Sequence, residues 1–453
     1  MIDQNEIRAV IKNELFLGEI WDVTCAGLPI WPLVREQFHY AARNKTKGSY
    51  RWSIPQTQIS LNSPLSKIGD DNLIYEASNL AFLSRPESCV RLSDGSLFDK
   101  YFDSLGVLKN WKINKFGFDP ELYSSKNFSS LNMINIAHRR RKIVAIINLS
   151  AFKKWFPISY RYINFDLIMV RIAAILDFSD QIARYFEVKN IDAVIQTCYY
   201  QTIGYSVNHA AHTLGIPSVD FQHGQTSAFH LMANHWVKND SSPISILPNY
   251  FFCWGDISAS WFEQSSNASG ILAVRGSHPW VELCKSELIT SDIKISRRRN
   301  DFILLALQPI ENGIEMWVYE LLVSKFKHRV LIRFHPHQEQ IESHVKQLKK
   351  IGFSDENFLY QDLEIHSLLP LVNSLITAYS TVAWEAANYD KKVILVHPKA
   401  LEIYDGFLDG DPFYYCETAG ALIDQLDEAG TSPRNQKFYG SAENLDFFQS
   451  LGG

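Results

Sequence analysis

The sequence predicts an α/β protein built on parallel sheets, and three observations lead to that prediction. Short apolar runs of strand length alternate with amphipathic helical stretches from about residue 165 onward, and this order produces βαβ units with parallel strands. The chain has 453 residues, which is more than one core usually supports, because single cores stop growing at roughly 250–300 residues. Its 46% hydrophobic and 21% charged residues are typical of a globular protein. We therefore expect two domains.

The first half of the chain begins irregularly and becomes regular near residue 165. We expect a helix at Trp31–Ala42 and a long polar loop from Asn44 to Ser66. Residues 71–150 contain apolar runs, among them Ile143–Leu149, whose order as strands the pattern leaves open. Further along, the predicted helices are Asp166–Val188, Ile203–Thr213 and Ile257–Phe262, and the predicted strands are Ile191–Gln196, Pro217–Phe221, Asn249–Trp254 and Ile271–Arg275.

The second half repeats the alternation and predicts a doubly wound domain of about 150 residues. Its predicted strands are Phe302–Ala306, Val330–Phe334, Phe358–Tyr360, Leu375–Ala378 and Val393–Val396, and its predicted helices are Glu315–Phe326, Gln338–Ile351, Ile365–Val372, Thr381–Tyr389 and Ala419–Glu428. We expect a first α/β domain at residues 1–278 and a second, Rossmann-like domain at 279–435. The remaining segment, 436–453, is expected to pack back on the first domain.

Charge and composition exclude several classes of function. The net charge is −5, so no basic excess exists to drive binding to nucleic acid. The polar start, Met1–Val10, is unlike a signal peptide, and no apolar run approaches the ~18–20 residues of a membrane span. The six cysteines are scattered, which argues against a disulfide framework and a zinc ribbon. We expect a cytoplasmic protein.

Two basic runs leave open an association with the inner face of the cytoplasmic membrane. Arg139–Lys142 and Arg297–Arg299 could contact anionic lipid headgroups, although a solvated surface is the interpretation we favour. The acidic overall charge argues against strong electrostatic binding to a membrane, but not against docking on a membrane-bound assembly. No dinucleotide-binding or P-loop glycine motif occurs, which disfavours dehydrogenases and P-loop NTPases.

Polar side chains follow four of the predicted strands, at the edge where ligands bind in open parallel sheets. The four segments are Gln222-His223-Gly224, Gly276-Ser277-His278-Pro279, Arg333-Phe334-His335-Pro336 and Tyr379-Ser380-Thr381. A core alone does not require His, Ser, Thr or Gly at these places. Their convergence is the main indication of a functional site.

In the second domain these residues suit a nucleotide diphosphate. Ser380 and Thr381 stand where a helix begins, so hydroxyl and backbone N–H groups could bind phosphate; an ordinary N-cap is the alternative. Glu385, one turn later, could accept both ribose hydroxyls or simply face solvent. Arg333 and His335 could neutralise a diphosphate leaving group, and a structural histidine is the alternative for His335.

In the first domain His223 is the candidate general base, since a histidine can take a hydroxyl proton near neutral pH. Gly224 would permit close backbone approach. A turn residue is the alternative role for His223. We expect no metal site: His209, His212, His223, His230 and His235 crowd one region without matched acidic or cysteine partners, and Asp409-Gly410-Asp411 is more typical of a turn.

Together these motifs resemble the GT-B glycosyltransferases, and more closely the bacterial capsule and lipopolysaccharide enzymes. The resemblance covers roughly residues 190–400 and is carried by five short stretches: Ile216-Pro217-Ser218 running into Gln222-His223-Gly224, Phe252-Cys253-Trp254-Gly255, Val274-Arg275-Gly276-Ser277, Arg333-Phe334-His335-Pro336, and Tyr379-Ser380-Thr381 with Glu385-Ala386. The last two are similar to motifs of transferases that use CMP-sialic acid or CMP-Kdo. The same order also occurs in CDP-glycerol glycerophosphotransferases.

The resemblance implies two Rossmann-like doubly wound domains facing a central cleft, and a glycosyltransferase that needs no metal or other cofactor. Its partners would be a nucleotide-sugar donor and a glycan or lipid-linked glycan acceptor. His335, Ser380 and Thr381 would bind donor phosphates with help from Arg333, and Gly276 and Ser277 would belong to the donor site. In the polyol-phosphate relatives, the catalytic base corresponds to His223. In the sialyltransferase relatives, the base is an acidic residue in a short glycine-containing motif of the first domain, and Asp94-Gly95 is a weak match to that motif.

Three other functions remain open at this point. A polyol-phosphate transferase that uses CDP-glycerol or CDP-ribitol needs the same phosphate-binding groups. A GT-B-like sugar-nucleotide epimerase would turn over donor without an acceptor. A non-catalytic glycan-binding or assembly subunit would keep its function when His223 and His335 are changed to alanine.

Overall fold

The computed structural model describes most of the chain. The described residues are 8–12, 18–43, 60–61, 75–85, 88–92, 96–117, 128–130, 149–157, 159–224, 230–234, 236, 243–265, 270–286, 289–290, 302–308, 314–335, 341–359, 365–405, 407–408, 412–427 and 438–451. Several sequence predictions lie wholly or mainly outside these ranges: the polar loop 44–66, the apolar run that starts at Ile143, both basic runs, Asp94-Gly95, His235 and the Asp409-Gly410-Asp411 segment.

The first domain is built on a seven-stranded parallel sheet. In chain order its strands are β1 (Tyr75–Leu83), β2 (Trp111–Gly117), β3 (Phe128–Ser130), β4 (Ala193–Thr197), β5 (Ser218–Phe221), β6 (Tyr250–Cys253) and β7 (Leu272–Arg275). Across the sheet the order is β7-β6-β5-β4-β1-β2-β3. The order reverses direction between β1 and β4, which is the pattern of a doubly wound sheet.

Helices cover this sheet on both faces. They are α1 (Trp31–Arg43), α2 (Phe102–Lys109), α3 (Leu149–Trp155), α4 (Phe165–Lys189), α5 (Thr202–Leu214), α6 (Asp256–Ser265) and α7 (Pro279–Lys285). Small antiparallel pairs join Thr24–Cys25 to Leu28–Pro29, Cys89–Arg91 to Leu97–Asp99, and Ser60–Leu61 to Ile289–Thr290. Short 3-10 helices occur at Gly18–Asp22 and Ser159–Tyr162.

The second domain has a six-stranded parallel sheet with the same winding. Its strands are β8 (Phe302–Ala306), β9 (Val330–Arg333), β10 (Phe358–Leu359), β11 (Val372–Thr377), β12 (Lys392–Leu395) and β13 (Phe413–Tyr415), and the order is β10-β9-β8-β11-β12-β13. The helices are α8 (Met316–Leu321), which continues as a π-helix to Phe326, α9 (Ile341–Ile351), α10 (Ile365–Leu368), α11 (Val382–Asn388), α12 (Ala400–Ile403) and α13 (Ala419–Asp427).

The last described residues cross back to the first domain. Helix α14 (Phe447–Ser450) places Phe448 against two strands of the first sheet, with ring centroids 6.0 Å from Phe221 and 4.6 Å from Phe252. Lys109 of α2 forms an ion pair with Asp446 at 2.8 Å. The C-terminal segment therefore ties the second domain to the first.

The fold class predicted from the sequence is confirmed: the chain has two doubly wound parallel-sheet domains. Every strand predicted after residue 190 occurs, and Phe302–Ala306 has the predicted bounds. The predicted helix Glu315–Phe326 is α-helical only to Leu321, where the hydrogen bonding changes to the π pattern. Sequence analysis did not find β1, β2, β3 and β13. The first two follow no clean alternation and pair with a register shift, and the last two have three residues each, too few to show a period.

Candidate active site between the two domains

The second sheet brings the predicted phosphate-binding residues to one edge. Ala306 at the end of β8 pairs with Arg333 on one side and with Thr377 on the other. Arg333 and Thr377 are therefore two strands apart, about 10 Å. His335 follows Arg333, and Ser380 follows Thr377, so both lie at the carboxyl edge of the sheet, the edge at which doubly wound sheets bind ligands.

The corresponding crevice of the first sheet is filled by the protein itself. Arg85, just after β1, donates hydrogen bonds to the Gln201 side chain and to the backbone oxygen of Cys198, both of which follow β4. Arg85 is buried. The arginine thus closes the first crevice, and the second domain remains the better place for a nucleotide.

At the start of α11 the backbone and hydroxyl groups are only partly engaged. Ser380 Oγ accepts from the Val382 N–H at 3.3 Å, and Tyr404 OH donates to the Ser380 carbonyl at 2.5 Å. Thr381 occupies the N-cap position, and its side chain makes no capping hydrogen bond. Both residues are half-buried. Ser380 therefore has a local capping role, whereas the Thr381 hydroxyl serves no such role.

Glu385 lies at the contact between the domains. Its Oε2 is 3.3 Å from Nε2 of His366, which is buried. Its charge also contributes to the raised pKa values of Tyr101 and Tyr439, for which burial is the larger cause. Because Tyr101 belongs to the first domain, Glu385 faces that domain rather than solvent.

Three cations surround His366. Burial, followed by the charges of Lys100, Arg333 and Lys285, lowers the pKa of His366 to about 3. The imidazole is therefore neutral near pH 7. Lys100 and Lys285 come from the first domain and Arg333 from the second. The cleft thus gathers positive charge around a neutral histidine and one carboxylate.

His278 is the centre of an aromatic cluster on the first-domain wall. Its ring centroid is 4.6 Å from that of Trp254 and 5.4 Å from those of Tyr101 and Tyr439. Burial, then His366 and Lys100, lowers the pKa of His278 well below its usual value. Among the residues that the structure describes, its Nδ1 finds no hydrogen-bond partner, and neither does the Oγ of the fully buried Ser277.

His223 is held from two sides at the end of β5. Tyr101 OH donates to the His223 carbonyl at 3.2 Å, and Tyr200 OH lies 3.3 Å from His223 Nε2. The side chain is half-buried. Since Tyr101 also lies within the field of Glu385, this tyrosine connects the candidate base to the second-domain site.

The two predicted glycines have different surroundings. Among the residues that the structure describes, no atom lies within 4 Å of a Cβ added to Gly224. A Cβ on Gly276 would stand 2.2 Å from the Phe252 ring and 2.6 Å from the Cys253 carbonyl. The structure therefore gives Gly276 a packing role between β6 and the C-terminal segment.

Sequence analysis did not assign roles to several groups that meet in this cleft. Lys100 and Tyr101 follow a hairpin in the part of the chain whose pattern was unreadable, and His366 lies on the four-residue helix α10. His278 was visible only as part of a strand-end segment. A residue can reach a cleft from any loop, and only the tertiary fold shows which ones do.

Neither metal clusters nor membrane spans are seen in the described ranges. No group of three or more His, Cys, Asp or Glu residues there is placed to hold a metal ion. No helix in the same part of the chain has the length and apolar character needed to cross a bilayer.

Comparison with known proteins gives the fold. No protein-family model matches the chain, and no protein of curated function matches its sequence. A putative UDP-N-acetylglucosamine 2-epimerase from Listeria monocytogenes matches with a TM-score of 0.50 at 12% identity, over 82% of this chain and 94% of that one. The UDP-GlcNAc 2-epimerase from Methanocaldococcus jannaschii gives 0.49 at 11% identity, over 82% and 98%. MurG from Acinetobacter baumannii gives 0.42 at 12%, over 82% and 99%. The two wound sheets and the likeness to the Listeria structure together show that this chain has a GT-B-like fold.

Proposed function

We propose that the chain is a glycosyltransferase that moves a sugar from a nucleotide-activated donor to a growing bacterial surface polysaccharide, in capsule or lipopolysaccharide. The observation that supports this most is the cleft itself, where Glu385 of the second domain acts electrostatically on Tyr101 of the first. Such a cleft can hold two substrates at once, which is what group transfer requires.

The donor occupies the second-domain side in this proposal. Ser380 and Thr381 bind the phosphates, Glu385 accepts the ribose hydroxyls, and Arg333 and His335 face the diphosphate. Lys100 and Lys285 add positive charge within the range at which they perturb His366. Cationic side chains fixed where negative charge develops stabilise a departing diphosphate, so the proposal assigns this role to the protein without a metal ion or other cofactor.

The acceptor approaches from the first domain. His223 removes the proton from the attacking hydroxyl as its oxygen bonds to the anomeric carbon of the sugar, while the bond between that carbon and the donor phosphate oxygen breaks. The nucleoside diphosphate leaves with the bonding electrons, or a nucleoside monophosphate leaves if the donor is a CMP-sugar. Tyr200 orients the imidazole through its contact with Nε2. A glycan or lipid-linked glycan serves as the acceptor, and the protein works at the inner face of the cytoplasmic membrane.

The same fold also suits a nucleotide-sugar epimerase, which is the second candidate. The Listeria structure that shares the fold is described as a putative UDP-N-acetylglucosamine 2-epimerase. An epimerase would change its nucleotide sugar without an acceptor, whereas a transferase needs one. A transferase of CDP-glycerol or CDP-ribitol would differ from both in its donor, and a non-catalytic assembly subunit would turn over none.

The test is thermal unfolding of the metal-free protein with UDP, GDP, CDP and CMP. A ligand at about 100 times its dissociation constant adds about 2.7 kcal/mol of stability, which gives a measurable shift in Tm. We expect one nucleotide to stabilise the protein, and Ser380→Ala and Glu385→Gln to reduce that shift. Incubation with the matching nucleotide sugar, with and without glycan acceptors, then separates transfer from epimerisation. Stabilisation by none of the four would contradict the proposal.

A further inference from the structure

One buried carboxylate holds the loop that carries two cleft residues, Lys100 and Tyr101. Asp99 ends the hairpin strand Leu97–Asp99 and is fully buried. Its Oδ1 accepts hydrogen bonds from the backbone N–H groups of Tyr101 and Phe102, at 2.9 and 3.1 Å. An aspartate commonly caps the start of a helix in this way, and the helix here is α2.

The second carboxylate oxygen of Asp99 connects the loop to the sheet. Oδ2 accepts hydrogen bonds from the hydroxyls of Ser84 and Ser88, at 2.5 and 2.8 Å. Ser84 directly follows β1, and Ser88 also donates to the carbonyl of Arg85 at 2.7 Å. Arg85 is the residue that fills the first crevice by binding to the turn after β4. Asp99 therefore ties the loop to the end of β1 and, through Arg85, to the end of β4, whereas a helix cap needs only one oxygen.

Other buried charges complete the contacts of this loop. Asp103 Oδ2 accepts from the Asp99 N–H at 2.7 Å and forms an ion pair with Lys115 at 2.7 Å. Burial opposes the charged form of Lys115, but the charges of Asp103 and then Asp99 outweigh it and raise the pKa of Lys115. Breaking a buried network of charges and hydrogen bonds is costly, so the loop has one strongly preferred position.

The two residues that the loop carries act on both sides of the cleft. Tyr101 OH donates to the carbonyl of the candidate base His223 at 3.2 Å. The charge of Lys100 lowers the pKa values of His278 and His366, although burial is the larger cause for each. His366 lies in the second domain, on α10. The loop therefore reaches both the candidate base and the proposed nucleotide site.

We propose that Asp99 is a positioning residue that fixes Lys100 and Tyr101 in the cleft. Asp99 itself contacts no substrate. Through Lys100 it places a positive charge toward the nucleotide phosphates, and through Tyr101 it holds the turn that presents His223. A functional site depends on supporting contacts that lock such side chains in place. The inference rests on the proposed function and deepens it, because it names the group that holds one of the cations of that site.

Nucleotide binding tests the effect of Asp99 on Lys100. Binding of UDP, GDP, CDP and CMP is measured by isothermal titration calorimetry. We expect Asp99→Ala and Lys100→Met each to weaken binding of the nucleotide that stabilises the wild type, by about 2- to 10-fold. The double variant should bind as Lys100→Met does, because the effect of Asp99 passes through Lys100.

The conservative variant should restore binding. Asp99→Asn keeps an oxygen for the two backbone N–H groups, and its NH2 group can donate to the two serine hydroxyls. We therefore expect Asp99→Asn to bind nucleotides like the wild type. If Asp99→Ala does not fold, Ser84→Ala/Ser88→Ala takes its place, since this double variant keeps the helix cap and removes only the two donors to Oδ2.

Ile182→Ala is the control for a loss of stability alone. Ile182 is a fully buried core residue of α4, and its truncation destabilises the first domain without removing a contact of Asp99. It should bind nucleotides like the wild type. A loss of binding in Ile182→Ala as large as that in Asp99→Ala would reduce Asp99 to a structural role.

Hydrogen–deuterium exchange tests the connection to His223 without any ligand. In Asp99→Ala we expect faster exchange in the peptides that cover Lys100–Leu105 and Gln222–Gly224, and unchanged exchange in those that cover α4. Tyr101→Phe should increase exchange only at Gln222–Gly224, because the helix cap remains. Exchange in Asp99→Asn should match the wild type.

Two results would overturn the inference. The first is wild-type nucleotide binding in Asp99→Ala, or in the double serine variant that replaces it. The second is unchanged exchange at Gln222–Gly224 in the same protein. The proposed function fails separately, when none of the four nucleotides stabilises the wild type, and the exchange experiment then still decides whether Asp99 holds the turn at His223.

Discussion

His366 Nε2 lies 3.3 Å from Glu385 Oε2, at the place where the second domain meets the first. Burial keeps this histidine neutral, so the contact joins a carboxylate to a neutral imidazole and not to an imidazolium. The packing of His366 therefore decides what the Glu385 carboxylate contacts on this side.

The depressed pKa of His366 makes stability depend on pH. The folded value is about 3 against an ordinary value of 6.5, so between those values the unfolded chain binds a proton that the folded chain does not. The free energy of unfolding therefore falls as pH drops below 6.5, by about 1.4 kcal/mol per pH unit for one such group. We expect His366→Asn to reduce this slope, measured by urea unfolding at pH 7.5, 6.5 and 5.5.

The slope of the wild type alone does not isolate His366, because the pKa of another buried group is shifted in the opposite direction. The slope of His366→Asn must therefore be compared with that of the wild type. Burial raises the pKa of Glu36 from 4.5 to about 7. Between those two pH values the folded chain binds a proton that the unfolded chain does not, so the free energy of unfolding falls as pH rises from 4.5 to about 7. Glu36→Gln should therefore change the slope with the opposite sign. Equal slopes for the wild type and His366→Asn would show that His366 has the same pKa in the folded and in the unfolded chain.

Glu385 should matter for nucleotide binding more than for folding. Glu385→Gln keeps the shape and removes the charge, so the ribose hydroxyls lose a charged acceptor, a bond that is worth about 1.5–3 kcal/mol. We expect the dissociation constant of the stabilising nucleotide to rise about 10-fold or more, measured by isothermal titration calorimetry. Glu402→Gln on α12, an exposed position, is the control. Equal losses in both variants would exclude a specific role for Glu385.

The sequence predicted the strands of the second half of the chain, and the residues that follow them, better than any other part of the structure. Apolar runs such as Val330–Phe334 are followed by His, Ser or Gly, and parallel pairing brings those ends to one edge whatever the remaining fold. Arg333 and Ser380 could therefore be predicted to lie at the same edge of the sheet. The pairing of His366 with Glu385 could not, because it depends on how the short helix α10 packs against α11.

Gly276 is a second residue whose surroundings could not be predicted from the sequence. A glycine after a strand suggests close approach of a ligand, and sequence alone does not reveal what approaches. The structure shows Phe252 and the Cys253 carbonyl in that space. The early strands β1 and β2 remained hidden because their residues follow no clean alternation, and their place in the sheet depends on β4, about 110 residues after β1.

His223 and Tyr200 can be tested as a pair. If His223 is the base, His223→Gln should reduce kcat by about 100-fold or more while nucleotide binding stays unchanged. Tyr200→Phe leaves His223 in place and removes the contact with Nε2. We expect it to shift the pH profile of kcat and to lower kcat less than His223→Gln does. Tyr250→Phe, a half-buried tyrosine on β6, is the control, and an unchanged pH profile in Tyr200→Phe would remove the orienting role.

Gly224 and Gly276 should respond differently to the same substitution. In Gly276→Ala the new methyl group would overlap Phe252 and the backbone of Cys253, and such overpacking costs about 1–3 kcal/mol or more. Gly224→Ala has free space and should unfold at the same urea concentration as the wild type. If a substrate passes close to the Gly224 backbone, however, Gly224→Ala should raise KM without a change in stability. Measuring the urea midpoint and KM for both variants separates packing from substrate contact, and a normal KM in Gly224→Ala would place the substrate elsewhere in the cleft.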